Sequence, residues 1–262
     1  MDETQELVRL MGRASVAQMG HAPGFELHMT PGCVLALTGE PLADFNTICI
    51  GPDPDAERFL VRSVARVRER GLPVVAMLSP HVAAQLAPVA AGLGLTAAGT
   101  APLMVLRGAH AIEPRRRVGV EPVRVERVLG PERVRIVGDI VAAAFDAPRD
   151  AVARGIDAGI TETAGVEWHL ASAGGRPLGV VCVTPAGTTA GIFSMGTPPE
   201  HQRQGVGRAL LTQVIGTYRA RGVNRFYLVA SDAGRPLYAS LGFETIADLS
   251  AWVLGSSNQV GG

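Results

Sequence analysis

The 262-residue chain contains no lysine: all 24 of its basic residues are arginine. That absence excludes Schiff-base chemistry and a lysine-bearing phosphate loop, since both need a primary ammonium side chain. Cysteine is scarce as well. Cys33, Cys49 and Cys182 are odd in number, far apart and set in apolar runs, a pattern of reduced core thiols with no disulfide framework. The six histidines are scattered without metal-ligand spacing, so no metal is expected. Net charge is also lacking, with 24 basic residues against 24 acidic ones. Bulk attraction to nucleic acid or to a membrane surface is therefore not expected. No apolar run is long enough to span a bilayer, and Asp2, Glu3 and Glu6 are unlike the basic start of a secretory leader. The expectation is a soluble, cytoplasmic protein.

What is present is core material: 47% of residues are hydrophobic and 18% charged, which argues for a folded chain. The clearest boundary is the Pro- and Arg-rich stretch Glu113-Pro114-Arg115-Arg116-Arg117 before Val118-Gly119-Val120. It suggests a domain at 1–112, a linker at 113–120, a second domain at 121–255 and a frayed tail at 256–262. The halves carry 8 Arg with 10 acids and 16 Arg with 14 acids, a mild asymmetry. Each half reads as a similar succession of strands, helix, strand, helix and strand, which indicates an α/β or α+β fold and a duplication of elements. The second half is expected to carry strands at 123–128, 166–171, 178–184, 189–195, 225–230 and 245–254, with helices at 131–145, 150–158, 205–221 and 235–241. The first half opens with a helix and continues with strands at 25–29, 33–37, 46–50, 73–78 and 103–106. Its further helices are expected at 55–71 and 81–92.

The most informative stretch is Gly196-Thr197-Pro198-Pro199-Glu200-His201-Gln202-Arg203-Gln204-Gly205-Val206-Gly207-Arg208. A strand ends there and a glycine-containing loop opens into an amphipathic helix. Free N–H groups at a helix start, with the helix dipole behind them, form an anion cradle that needs no lysine. Gly205 and Gly207 let a phosphate approach the backbone, and Arg203 and Arg208 can add charge-assisted contacts. About thirty residues later comes Leu237-Tyr238-Ala239-Ser240-Leu241-Gly242-Phe243. Taken alone, Tyr238 is a core aromatic with a polar tip.

Together, these segments resemble the GNAT superfamily of acyl-CoA-dependent N-acyltransferases over about residues 120–255. Gln202 to Gly207 is similar to that family's Gln/Arg-x-x-Gly-x-Gly/Ala coenzyme A loop, and Leu237 to Phe243 to its Leu-Tyr-x-x-x-Gly-Phe segment. The resemblance implies tandem GNAT-like domains, each with a mixed, mostly antiparallel splayed sheet flanked by helices. It implies acetyl-CoA as cosubstrate, with pantetheine beside Met195 and Thr197. The pyrophosphate would lie on Gln202, Arg203, Gln204, Gly205, Val206 and Gly207, continuing to Arg208. Tyr238 matches the general acid that protonates the departing thiolate. Ser231 stands where many members have Asn. The implied activity is acetyl transfer to a primary amine of a small molecule or peptide by direct attack on the thioester, in a monomer or homodimer. An acyl-CoA-binding sensor or pseudoenzyme and a specialised biosynthetic or detoxifying tandem acyltransferase are the alternatives.

An alkyl amine of pKa about 10.4 must lose its proton before attack, at a cost of about 4.6 kcal/mol at pH 7. The strand Gly191-Ile192-Phe193-Ser194-Met195 offers no carboxylate for this. Glu167 and His169 are the nearest substitutes, but their alternation with Val166, Trp168 and Leu170 suggests the polar face of a half-exposed strand. Asp146 and Asp150 could attract a cationic amine or simply form a turn. Small residues at Gly191 and Ser194 would leave room for a broad range of acyl groups. In the first half, Ile50-Gly51-Pro52-Asp53-Pro54-Asp55-Ala56-Glu57 has acids where a pyrophosphate needs positive potential. Residues 1–112 are thus expected to be a degenerate copy that binds no cofactor. The Arg58, Arg62, Arg66, Arg70 stripe is expected to be a solvated helix face.

Overall fold

The computed structural model describes residues 2–19, 24–108, 122–156 and 165–255. The expected linker at 113–120 and the tail at 256–262 lie outside these residues. The chain forms two units: Met1–Met104 with Val229–Arg235 and Thr245–Gly262, and Val105–Leu228 with Pro236–Glu244.

The first unit starts with α1 (Glu3–Met19), β1 (Glu26–Met29), β2 (Cys33–Leu37) and β3 (Asn46–Ile50). It continues with α2 (Ala56–Glu69), β4 (Val74–Leu78), α3 (Pro80–Gly92) and most of β5 (Thr96–Arg107). The 103–106 expectation for β5 captured only its apolar end, because the centre of the preceding Thr-Ala-Ala-Gly-Thr is Ala and Gly, which are depleted in strands. β2 is an unbroken apolar run because both faces are covered. Leu35 and Leu37 join Ile48, Ile50 and Leu60, Val64 and Val67 of α2 in one core. Each such side chain contributes about 1.5–3 kcal/mol on burial. On the other face α1 comes so close that a Cβ on Gly12 would lie 2.4 Å from Val34 Cγ2.

The last strand, β11 (Glu244–Leu254), pairs antiparallel with β4, from Ser250 opposite Leu78 to Leu254 opposite Val74. Sequence order alone puts this strand with the second half; its hydrogen bonds put it in the sheet of the first unit. That sheet runs β1-β2-β3-β4-β11.

The second unit contains β6 (Arg124–Arg127), α4 (Pro131–Ala144), α5 (Arg149–Gly155), β7 (Glu167–Ala173), β8 (Arg176–Ala186) and β9 (Thr189–Gly196). α6 (Val206–Ala220), β10 (Arg225–Val229) and α7 (Arg235–Ser240) follow. Its strands are ordered β10-β9-β8-β7-β6, antiparallel except for the parallel pair β10 and β9. α6 packs on β6, β7 and β8, and α4 on β8 and β9. The expected stripe Val206, Leu210, Val214 and Tyr218 is buried on α6. The fold is the tandem mixed α/β arrangement expected from the sequence.

Candidate functional site

β9 and β10 pair only from Thr189 opposite Arg225 to Gly191 opposite Tyr227. Beyond that point β9 runs on to Gly196 with no strand partner on this side among the described residues. Its other edge is irregular too: Cys182 faces Phe193 and Val180 faces Gly196, so two residues of β9 oppose one of β8. This is a β-bulge, and Ser194 within it has φ of 46°. A left-handed non-glycine residue costs on the order of 1–3 kcal/mol and tends to mark functional backbone. The sheet is thus opened at Ile192–Gly196, leaving main-chain groups free for a ligand.

The loop after β9 delivers the chain to α6. Gln202 Nε2 donates to the Thr197 carbonyl at 3.1 Å and Gln204 Nε2 to the Glu200 carbonyl at 2.8 Å, fixing the turn. Gly205 is the N-cap with φ of 86°, no side chain caps the helix, and its first turn holds no acid. The first N–H groups of α6 therefore point outward without an internal acceptor. A Cβ on Gly207 would sit 3.1 Å from both Met195 Cε and Leu237 Cδ2, so glycine lets α6, β9 and α7 meet. Arg208 donates to Ser240 Oγ at 2.5 Å and to the Ser240 carbonyl at 3.3 Å. Arg203, also left-handed with φ of 58°, is exposed.

Tyr238 is 8% exposed, and its hydroxyl meets Met195 Sδ at 3.8 Å. Burial pushes its pKa up to about 12, so the phenol stays protonated. Met195, Gly205, Gly207, Arg208 and Tyr238 are therefore brought together within one unit. Ser231 belongs to the first unit, where its Oγ accepts the Gly234 N–H at 3.1 Å.

The expectation for β7 is overturned. Glu167 and His169 are not on a half-exposed face; they are 8% and 5% exposed, because α6 covers that side of the sheet. Arg221 donates to both Glu167 oxygens, at 2.7 and 2.9 Å, and holds its carboxyl below the usual range. His169 Nε2 lies 3.0 Å from the Tyr218 hydroxyl, and burial depresses its pKa to about 4. Arg221 also stacks on Tyr218 at 4.6 Å. Both candidate bases are thus committed to this packing. Strand alternation alone could not reveal it, since the covering helix lies about fifty residues downstream. Asp146 and Asp150 are exposed, Asp146 with φ of 49°.

In the first unit the corresponding parallel pair, β3 and β4, is zipped from Thr47 opposite Val75 to Ile50 opposite Leu78. Ser79 N–H then closes the end on the Ile50 carbonyl at 2.8 Å. Asp53 Oδ2 accepts from Thr30 Oγ1 at 2.8 Å and Gly32 N–H at 3.0 Å, and Oδ1 from Asp55 N–H at 3.0 Å. Burial opposes its charge, but these bonds hold its pKa below the ordinary value. A carboxylate thus takes up donors in the loop before α2. The Arg stripe is not wholly solvated: Arg66 and Arg70 both grip Glu26. The Arg66 bond, with smaller help from His28 and Arg70, lowers the Glu26 pKa to about 2. A wide depression of about 670 Å³ lies at Asp2, His81 and Asp248 of this unit, but none of the expected site residues lines it. Among the described residues no group of His, Cys, Asp and Glu can hold a metal ion, and no helix is long and apolar enough to cross a membrane.

Residues 140–243 match the acetyltransferase (GNAT) family. The [ribosomal protein bS18]-alanine N-acetyltransferase of Escherichia coli (strain K12) is 42% identical over 57 residues, 21% of this chain and 38% of that enzyme. The chain thus spans well under half the length of that curated relative. A GCN5-related N-acetyltransferase from Kribbella flavida superposes with a TM-score of 0.66 at 18% identity, covering 94% of this chain and 96% of that one. A tandem GNAT protein from the clavulanic acid biosynthesis pathway gives 0.60 at 15% identity, covering 97% and 96%. At those identities the two structures speak for the fold alone. The match to the acetyltransferase (GNAT) family, over residues 140–243, takes in the opened sheet, the glycine loop and Tyr238.

Proposed function

We propose that the second unit is an acetyl-CoA-dependent N-acetyltransferase acting on a primary amine, and that the first unit binds no acyl-CoA. The observation that carries this is the convergence of three things: main chain at Ile192–Gly196 that is unpaired on its β10 side, the uncapped start of α6, and a buried phenol at Met195. Bound acetyl-CoA would supply the activated acyl group. The N–H groups of Gln202 to Gly207 would hold its pyrophosphate, aided by the dipole of α6. Met195 and Thr197 main-chain groups would align the pantetheine arm.

The chemistry asks for a deprotonated amine and a stabilised leaving thiolate. Attack forms the N–C bond and breaks the C–S bond, and the electron pair departs on sulfur. Tyr238 donates its proton, or a strong hydrogen bond, to that sulfur. A hydroxyl whose contact is already a sulfur atom, in a site that burial has dried, is suited to this. The amine proton has no carboxylate on β9 to receive it, and Glu167 and His169 are occupied. Water leading to main-chain carbonyls of the opened strand is the remaining route. A peptide amine as acceptor is supported by the 57-residue likeness to an enzyme whose name specifies a protein alanine.

A sensor that binds acyl-CoA without turnover is the second reading, favoured by the lack of a carboxylate on β9. Calorimetric titration with acetyl-CoA, followed by an amine and peptide screen for thiol release, tests both. One site per chain with release supports the enzyme. One site without release against any amine supports the sensor, and no binding removes both.

A further inference from the structure

The closed end of the opening between β9 and β10 is filled. Gly191 and Tyr227 are the last paired residues, and Thr184 of β8 lies opposite Gly191 on the other side. A Cβ on Gly191 would stand 2.3 Å from Phe193 Cε2, 2.7 Å from Thr184 Oγ1 and 2.8 Å from the Tyr227 hydroxyl. The room expected at Gly191 from its size is therefore taken. Phe193, two residues on and on the same side of the strand, folds its ring back over this glycine. It meets the Tyr227 ring edge-on, with centroids 5.9 Å apart and planes at 87°. Tyr227 itself is 2% exposed, so its ring offers a fixed wall.

We propose that Phe193, laid over Gly191 and braced on Tyr227, limits the acyl group of the thioester to two carbons. This deepens the acetyltransferase reading and rests on it. With the sulfur beside Tyr238 and Met195, an acyl chain growing toward the closed end of the opening meets the Phe193 ring. The role is one of specificity: the side chain excludes a longer acyl group sterically and takes no part in proton transfer. Each methylene that cannot be accommodated is worth a factor of about 10 or more.

Calorimetry with acetyl-, propionyl- and butyryl-CoA on the full chain tests this without an acceptor. Wild type should bind acetyl-CoA at least about 10-fold more tightly than butyryl-CoA, and Phe193→Ala should bring the two within about 3-fold of each other. Phe193→Leu, which preserves more of the packing, should give an intermediate ratio. Equal affinities in wild type, or a ratio unchanged in both variants, would overturn the inference. Failure of all three thioesters to bind would overturn the acetyltransferase reading and this inference with it.

Discussion

The Tyr238 hydroxyl points at the Met195 sulfur from 3.8 Å, joining α7 to the bulged end of β9. A thioether is a weak acceptor, so the phenol gives up little when a thiolate replaces it. Tyr238→Phe is expected to lower kcat by about 10² or more while leaving acetyl-CoA affinity within about twofold. Since burial raises the Tyr238 pKa to about 12, wild-type kcat should show no basic limb from this group below about pH 11. Turnover equal to wild type across pH would remove Tyr238 from the mechanism.

Gly205 separates backbone strain from ligand exclusion. Nothing lies within 4 Å of a Cβ built there, but its φ is 86°. Gly205→Ala should cost about 1–2 kcal/mol of stability through the left-handed backbone alone. Gly205→Glu adds a carboxylate at the helix start and should abolish acetyl-CoA binding in calorimetry while the protein still melts cooperatively. Retained binding in the Glu variant would place the anion elsewhere.

His169 makes the second unit sensitive to mild acid. The unfolded chain takes up a proton at its histidine near pH 6.5, whereas the folded chain resists until about 4. Stability is full above about pH 6.5 and falls as pH drops toward 4, by about 3 kcal/mol at most. His169→Gln keeps a polar group beside the Tyr218 hydroxyl and does not titrate. Urea midpoints measured from pH 7 to 4 should fall less steeply in this variant, and parallel curves would refute the assignment.

Asp53 holds the loop of the first unit by three hydrogen bonds. Asp53→Ala should lose about 1–3 kcal/mol in urea unfolding, without changing the one-site stoichiometry for acetyl-CoA. A second acetyl-CoA site in wild type would show that this acidic loop is no barrier.

Local patterns were readable where one element decides the outcome. The stripe on α6, the apolar run of β2 and the glycine loop before Val206 each follow from spacing within a single segment. What was not readable depends on which segments meet. Glu167 looked solvent-facing because Arg221 and Tyr218 are distant in sequence. Gly191 looked like empty space because nothing in the sequence says that the Phe193 ring lies down on it. Arg208 was legible as a cation, but its grip on Ser240 was not.

The pairing of β11 with β4 sets a timetable for synthesis. Val74–Leu78 leaves the ribosome long before Ser250–Leu254 does, and domains generally complete N-terminal first. Here the earlier-made unit is the one that must wait for the end of the chain. Until then the β4 edge that β11 will cover is open, a template for stray strands. A gene cut at residue 112 would strand β4 without its neighbour in one product and β11 without its neighbour in the other. The first unit is thus complete only once Ser250–Leu254 has been made.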